Sequence, residues 1–427
     1  MTPTVNEGTG VRRSTLASLL HDSMVDWDVL DKRYRPLLRL VDALLGVVPN
    51  CDRYLEIWPP AFRTYNVMVP NLLNLPVPVF GVGGPPPAVI GLAMYVASRT
   101  AECPYCSAHS CSFAMRRGAT AESVASALVP DRGSFTRGEL AAIAVARSLA
   151  RVPCELTAPE KAELIDVFGE RRAEWIVLSV VMMGFLNKFM DATGIELEQT
   201  VVDEVSETMG PAWSPGHAGA DLDPNMPRRP APPADGWRTR VRLLPLLPAA
   251  IAFDRRVQRS TPHRTSDIRT YLAAEVGHDF PAVMGLRSGR ARRCIATILL
   301  ENLDASNSVV GLDVKVLIGA VFAAVVGDGS LAGDMRALAG RAAVDDGRLD
   351  AAAAFAQGDG AALDGEADAV RSVLALGLAA SPSPAAVDAR TVEACERAAL
   401  APQVIVETVT WLGVLQLLHR LTCYTTT

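Results

Sequence analysis

Two cysteines and a histidine recur at three-residue intervals in Cys103-Pro104-Tyr105-Cys106-Ser107-Ala108-His109. On a helical period, Cys103, Cys106 and His109 fall on successive turns of one stripe. A thiol reacts as its thiolate, so the chemistry depends on what lowers its pKa. The first turn of a helix offers unpaired amide groups and the positive end of the dipole. An imidazole one turn on takes the proton or, once charged, steadies the anion. Cys106 is the neighbour of His109 and is assigned as the attacking sulfur, with Cys103 resolving and His109 as base. Attack on a hydroperoxide would leave a sulfenic acid on Cys106. Cys103 would condense with it and release water, and a dithiol donor would reset the pair. The same pair could reduce a substrate disulfide, or oxidise a substrate through a mixed intermediate.

Other chemistries for these residues fit less well. A zinc site would draw on Cys103, Cys106, His109 and Cys111, but one helix does not easily wrap four ligands tetrahedrally, and Cys111 lies off the stripe. Haem attachment needs a His directly after the second Cys, where Ser107 stands. Glutaredoxin-like proteins place such a dithiol after a β-strand, and no βαβ pattern is present. Gly81-Val82-Gly83-Gly84 is a weak phosphate loop, followed by three prolines and without a preceding strand pattern. No cofactor or metal is therefore expected. Cys111 reads as a small core residue, and Glu139 as a helix-end acid. His419 reads as a hydrogen-bonded core or interface histidine, and Trp175 and Trp411 as core or subunit contacts. His21, His217, His263 and His278 carry no motif.

The 427 residues exceed one ordinary core, so two domains are expected. Hydrophobic residues make up 49% and charged residues 21%, aromatics are few and alanine is plentiful. That composition predicts an all-α, well-buried protein, with some apolar surface covered by another subunit. The net charge of −6 argues against nucleic acid or an anionic membrane as partner. The segment from Thr2 to Ser14 is polar and shows no secretory pattern. Asn71 to Ser98 is uncharged but interrupted by Pro76, Pro78, Gly81, Gly83, Gly84 and Pro85 to Pro87, so it predicts a packed loop and a buried helix, not a membrane span. Of the eight cysteines only Cys103, Cys106 and Cys111 cluster. The scattered remainder predicts reduced thiols and a cytoplasmic location.

Residues 1–15 read as a disordered tail. Apolar periodicity predicts helices over Asp26–Val48, Phe62–Leu72 with an interruption near Pro70, Ala88–Thr100, the dithiol stretch to Gly118, Thr120–Leu128, Thr136–Ala150, Thr157–Phe168 and Arg172–Asp191. The segment 206–237 holds seven prolines and reads as a linker. It divides the chain into halves, 16–205 and 238–427, that resemble each other. Ile90-Gly91-Leu92-Ala93 matches Ile318-Gly319-Ala320-Val321, Gly138-Glu139 matches Gly365-Glu366, and the apolar run Trp175–Phe189 matches Val404–Leu418. These pairs share an offset of roughly 228 residues, as a tandem copy would. At that offset Cys103, Cys106 and His109 fall on Leu331, Asp334 and Ala337, so the second copy is read as degenerate.

Three stretches together resemble the alkylhydroperoxidase AhpD / carboxymuconolactone decarboxylase family. They are the dithiol with its downstream His, Phe113-Ala114-Met115-Arg116-Arg117-Gly118-Ala119, and Phe185-Leu186-Asn187-Lys188-Phe189-Met190-Asp191-Ala192-Thr193-Gly194. The resemblance covers about residues 55–200 and, faintly, 240–425. It implies duplicated all-helical bundle domains, homo-oligomers and thiol-dependent peroxidase or disulfide chemistry, with the two family cysteines at Cys103 and Cys106 and the following His at His109. The family's peroxidases place a Glu upstream of the dithiol as part of a proton relay. Here that region is Ile90-Gly91-Leu92, and Glu102, beside the dithiol, is the candidate substitute. Tyr105 stands where some members have a His, and His109 is one residue closer to the second Cys than usual.

The expectation is a thiol-dependent oxidoreductase acting on an organic hydroperoxide or a metabolite, with a dithiol protein as electron donor. Two domains per chain would mimic a dimer, so that three chains build a pseudo-hexamer. The alternatives are lactone-type acid–base chemistry that tolerates loss of both thiols, and a non-catalytic assembly protein.

Overall fold

The computed structural model describes residues 14–75, 83–131, 133–209, 213 and 236–427. Among them every regular element is a helix, as the composition predicts. The tail residues 1–13, the interior of the predicted linker (210–212 and 214–235) and the loop 76–82 lie outside the described residues.

The helix boundaries follow from side chains that satisfy free amide groups. Thr120, Thr136 and Thr157 each accept an N–H from the first turn of Ala121–Ser126, Arg137–Ala150 and Ala158–Phe168. Glu139 and Glu160 complete capping boxes with Thr136 and Thr157, and caps of this kind stabilise a helix by about 1 kcal/mol each. Glu139 thus has a helix-end role. Thr15 does the same for Leu16–Leu20, whose Leu16 and Leu20 are fully buried. Thr15, which the sequence reading placed in the tail, is thus the N-cap of a helix. Prolines behave by position. Pro59 opens Pro59–Leu72, and Pro70 sits in its last turn without interrupting it. Pro36 lies inside Trp27–Leu45, which kinks at Tyr34 (φ −132°).

The predicted linker begins late as well. Residues 206–209 are the end of Gln199–Met209, and Trp237 opens Trp237–Leu243. Beyond it, Gly289–Leu303, Leu312–Val326, Gly329–Ala342, Asp368–Ala380, Ala389–Arg397 and Pro402–Thr426 follow the order and approximate lengths of Pro59–Leu72, Pro87–Thr100, Pro104–Arg116, Arg137–Ala150, Ala158–Phe168 and Glu170–Thr193. Counted from the caps, Cys103 corresponds to Asp328, Cys106 to Leu331 and His109 to Asp334. This register lies three residues from the one the sequence offset gives.

The two halves share one core. At its centre Glu170–Thr193 packs on Pro402–Thr426. Both helices are long and apolar enough to cross a membrane, but 89% and 94% of their most apolar windows are buried inside this protein. Gly184 and Gly413 set the crossing: a Cβ on Gly184 would lie 3.0 Å from the Gln416 carbonyl oxygen, and one on Gly413 would lie 2.8 Å from the Phe185 ring. The polar residues of the Phe185–Gly194 stretch tie the halves together. Lys188 Nζ donates to the Ser381 carbonyl (2.7 Å), the Pro382 carbonyl and Ser383 Oγ (3.1 Å). Asp191 Oδ2 accepts the Ala385 amide at 2.6 Å. From the start of the same helix, Glu174 accepts the amides of Arg287 and Ser288 at 2.8 and 2.7 Å.

The helix Pro87–Thr100 supports the dithiol helix Pro104–Arg116 through a close backbone approach at Gly91. A Cβ there would lie 2.5 Å from the Ala114 Cα. Backbone cannot yield as a flexible side chain does, so Gly91→Ala is expected to destabilise the fold by about 1–3 kcal/mol, the usual cost of overpacking. Equilibrium urea unfolding checks this, and an unchanged midpoint would mean that the helices separate freely.

Candidate functional site

The dithiol helix starts at Cys103, which is its N-cap, with Pro104 in the first turn. Cys103 Sγ accepts the Cys106 amide N–H at 3.4 Å. The two thiols also hydrogen-bond to each other, and both are free. The expected stripe is therefore realised, with each residue in a distinct place. Cys103 is fully buried behind Cys106. Cys106 and His109 line a cavity of about 70 Å³. Its apolar wall includes Met94, Met182, Met183 and Met190, with Leu186 and Phe113. Burial pushes the Cys106 thiol well above its ordinary range, and the hydrogen bond with Cys103 adds to this. The resting site thus holds its proton on Cys106.

His109 does not meet Glu102. Glu102 is exposed and occupies a left-handed turn (φ +54°) between the supporting helix and the dithiol helix. The acid facing His109 is Glu198, whose Oε2 lies 2.7 Å from His109 Nε2. Its other oxygen, Oε1, accepts the Tyr105 hydroxyl at 2.8 Å and the Asn50 amide. Burial pushes the Glu198 carboxyl up, but His109 and these donors outweigh it and hold the group below its ordinary value. The Tyr105 and His109 rings lie 4.5 Å apart, so the tyrosine fixes the imidazole from its side.

The position of Glu198 follows from the helix it precedes. The Val201 and Val202 amides of Gln199–Met209 donate to its carbonyl. One turn on, Glu204 accepts Ser112 Oγ at 2.5 Å and Arg116 Nη2 at 2.9 Å, which straps that helix onto the dithiol helix. Cys111 lies on another side of the dithiol helix from the cavity, where burial pushes it up to about 12. Among the described residues no three His, Cys, Asp or Glu side chains converge as a metal-binding group.

A third thiol meets the cavity. Cys51, at the start of Cys51–Leu55, lines it together with Tyr65 and hydrogen-bonds to the Tyr65 and Tyr105 hydroxyls. Burial pushes Cys51 well above its ordinary range too, with Asp52 and Glu198 adding to this. Sequence reading missed Glu198, Cys51 and Tyr65. Cys51 looked isolated because its nearest cysteine is Cys103, and no local pattern aims Glu198 at a histidine 89 residues upstream.

A second cavity, of about 130 Å³, adjoins the first through the shared wall residues Leu45, Tyr65, Val69, Leu73 and Phe113. Its far side comes from the second half: Leu243, Leu247, Ala250, Ile251, Asp254 and Arg290. The cavity in front of the dithiol is thus lined by the first half alone, and the adjoining one is completed by the second. In the second half the helix Gly329–Ala342 carries no thiol, and its N-cap Asp328 and its Asp334 each meet a histidine. Asp328 lies 2.7 Å from His419 Nδ1, and Asp334 lies 2.8 Å from His278 Nε2. His419 has the core role that sequence reading gave it, and it is 3% exposed.

No family model matches the sequence, and no curated protein matches it. Two solved structures are similar in part: the debrominase Bmp8 without ligand, and a cysteine-to-alanine variant of it in complex with 2,3,4-tribromopyrrole. Each is 20% identical over 43% of this chain, covering 96% and 95% of the respective Bmp8 chains, with TM-scores of 0.38 and 0.36.

One buried acid beside the cavity gives a pH dependence. Asp52 is fully buried, and Oδ2 has no hydrogen-bond partner. Burial pushes its carboxyl up to about 7, opposed by the Asn66 amide and reinforced by Glu198 and Glu56. Unfolded, the group titrates near 3.8. Between these values the folded chain holds a proton that the unfolded chain has lost, so stability falls as pH rises across this window and levels off above it. Asp52→Asn removes that decline. Urea unfolding is expected to show the variant gaining on the parent by up to about 1.4 kcal/mol per pH unit within the window. A difference that does not vary with pH would contradict the buried, protonated Asp52.

Proposed function

We propose that this chain is a thiol-dependent oxidoreductase acting on a small apolar molecule, with an organic hydroperoxide as substrate class. The observation that carries the reading is the arrangement at the cavity. Cys106 faces apolar space, the His109–Glu198 pair is on the same wall, and Cys103 is hydrogen-bonded directly behind.

In this reading Cys106 gives its proton to His109, whose charge Glu198 balances. The thiolate attacks the distal peroxide oxygen, the O–O bond breaks, and the alkoxide leaves as an alcohol with that proton. Cys106 is now a sulfenic acid. Cys103 attacks its sulfur, the S–O bond breaks, and hydroxide leaves as water with the Cys103 proton. Two electrons have passed from the thiols to the peroxide, and a dithiol donor returns them by exchange. The second half is read as a duplicated domain that has lost the thiols and supplies a wall of the substrate space.

The His109–Glu198 pair also favours a second reading, acid–base catalysis without thiol participation. The two separate on one experiment. The reduced protein is mixed with one equivalent of cumene hydroperoxide, and its thiols are then mapped by alkylation and mass spectrometry. The peroxidase reading expects one Cys103–Cys106 disulfide, none in Cys106→Ser, and a dimedone-trapped Cys106 in Cys103→Ser. Glu198→Gln is expected to slow disulfide formation by on the order of 10²-fold and to displace its pH profile. Thiols that stay reduced and alkylate slowly near neutral pH would remove the peroxidase reading.

The adjoining cavity gives a size test. Ala250→Trp fills space between the two cavities and the surface of Leu247–Val257. It is expected to raise KM for cumene hydroperoxide by about tenfold or more, at roughly 1.4 kcal/mol per decade, while leaving hydrogen peroxide turnover unchanged. Equal effects on both oxidants would show that the second cavity is not on the substrate's path.

A further inference from the structure

A second pair of thiols lies outside the site described above. Cys154 follows the helix Arg137–Ala150, in the short connection to Ala158–Phe168. Cys423 is in the last turns of Pro402–Thr426, from the other half of the chain. The two thiols are close enough for each to act on the ionisation of the other. Both are half-buried, unlike the other six cysteines, which are buried. A small reagent therefore has access to this pair.

The surroundings hold the two segments together. Lys161 Nζ, from Ala158–Phe168, donates to the Tyr424 carbonyl at 2.8 Å and stands 4.6 Å from the centre of the Tyr424 ring. One turn before Cys423, the Arg420 side chain is fully buried. Its Nη1 donates to the Val180 carbonyl at 2.8 Å, while Nε and Nη2 have no hydrogen-bond partner. Cys154, Cys106 and Cys423 act on this guanidinium electrostatically, and so does the buried Lys188. Asp328 is the acid that faces the pair, and it is engaged by His419.

We propose that Cys154 and Cys423 are a second redox pair, which a low-molecular-weight disulfide oxidises to a disulfide bond between the two halves of the chain. Cys154 is the sulfur that reacts first. The Cys423 thiol lowers its pKa, burial opposes this, and the Leu156 amide and Arg420 help it. Cys423 keeps its proton, because Cys154 and burial hold it well above its ordinary range. The Cys154 thiolate attacks one sulfur of the reagent, the reagent's S–S bond breaks, and a thiolate leaves. Cys423 then loses its proton and attacks the Cys154 sulfur of the mixed disulfide, and the second thiolate leaves. Two protein thiols are oxidised by two electrons, and the reagent becomes two thiols carrying the two protons. This step is independent of the peroxidase reading and needs neither Cys103 nor Cys106.

The test uses the full chain, with glutathione disulfide as probe. The reduced protein, and a Cys103→Ser/Cys106→Ser variant, are incubated with the probe, alkylated, digested without reduction and mapped by mass spectrometry. The expected result is a peptide linking Cys154 to Cys423 in both proteins, and a glutathione adduct on Cys154 in Cys423→Ala. Three results would overturn the proposal: both thiols fully alkylated, a stable glutathione adduct on Cys154 in the parent protein, or a link from either residue to another cysteine. The parent protein alone decides the matter if a variant fails to fold.

Discussion

The crossing of Glu170–Thr193 with Pro402–Thr426 is the constraint on which the rest of the structure depends. Two apolar helices of this length cannot be left facing water in a folded chain, because each presents apolar residues on every side. Each therefore needs cover on all sides, and each half supplies the cover that the other lacks. Gly184 and Gly413 let the backbones approach, since a side chain at either would meet the Gln416 carbonyl or the Phe185 ring. The same approach brings Arg420 of the second half against Gly184 and Val180 of the first, within electrostatic reach of Cys106. Lys188 and Asp191 then lock the turn 381–385 from the first half's side. The halves are thus joined by burial and by charged groups that have no water to retreat to.

That burial sets the electrostatics of the candidate site. Desolvation alone would leave Cys51, Cys106, Asp52 and Glu198 uncharged. Only Glu198 escapes, because it gathers three donors from two elements: the Asn50 amide at the start of Cys51–Leu55, and the Tyr105 hydroxyl and His109 of the dithiol helix. One carboxylate with satisfied oxygens, next to an acid that keeps its proton, makes a proton acceptor and a reservoir within a single apolar enclosure. Helix Gln199–Met209 holds that carboxylate in register, because Glu204 is pinned to Ser112 and Arg116 of the dithiol helix itself.

The helices were legible in the sequence because their signals are local. Threonine caps, Pro59 and the 3.6-residue apolar period act within a few residues of the boundary they set. The stripe of Cys103, Cys106 and His109 was legible for the same reason. What was not legible depends on contacts distant in sequence. Glu198 reaches His109 from a different helix, so the nearby Glu102 looked the better partner although it points to solvent. Cys51 reaches the cavity through a turn after Pro49-Asn50, and Cys154 and Cys423 influence each other across 269 residues of sequence. The comparison of the halves shows the same limit. A single offset assumes equal loops, but the cap-to-cap separation grows from 225 residues at Cys103 and Asp328 to 231 at Thr157 and Asp388. Loop lengths differ between the halves while the helices keep a similar order, so helix interiors and helix caps give registers one turn apart at the dithiol.

Arg420 connects these observations. A fully buried guanidinium with two nitrogens lacking hydrogen-bond partners is costly, and its pKa falls to about 10 because burial outweighs the thiols around it. A thiolate at Cys106 or at Cys154 would offset that cost, so the buried cation favours the reduced, ionised form of each pair. Closing a disulfide at one pair takes away its capacity to ionise and leaves the other pair as the source of an anion for Arg420. A thiolate at Cys106 and a thiolate at Cys154 draw on the same cation, so ionisation of either makes ionisation of the other less favourable, and by the same amount in both directions. The fused second half would then do more than shelter the dithiol. Through one residue of its last helix it would link the ionisation of the cavity thiol to the redox state of the seam between the halves.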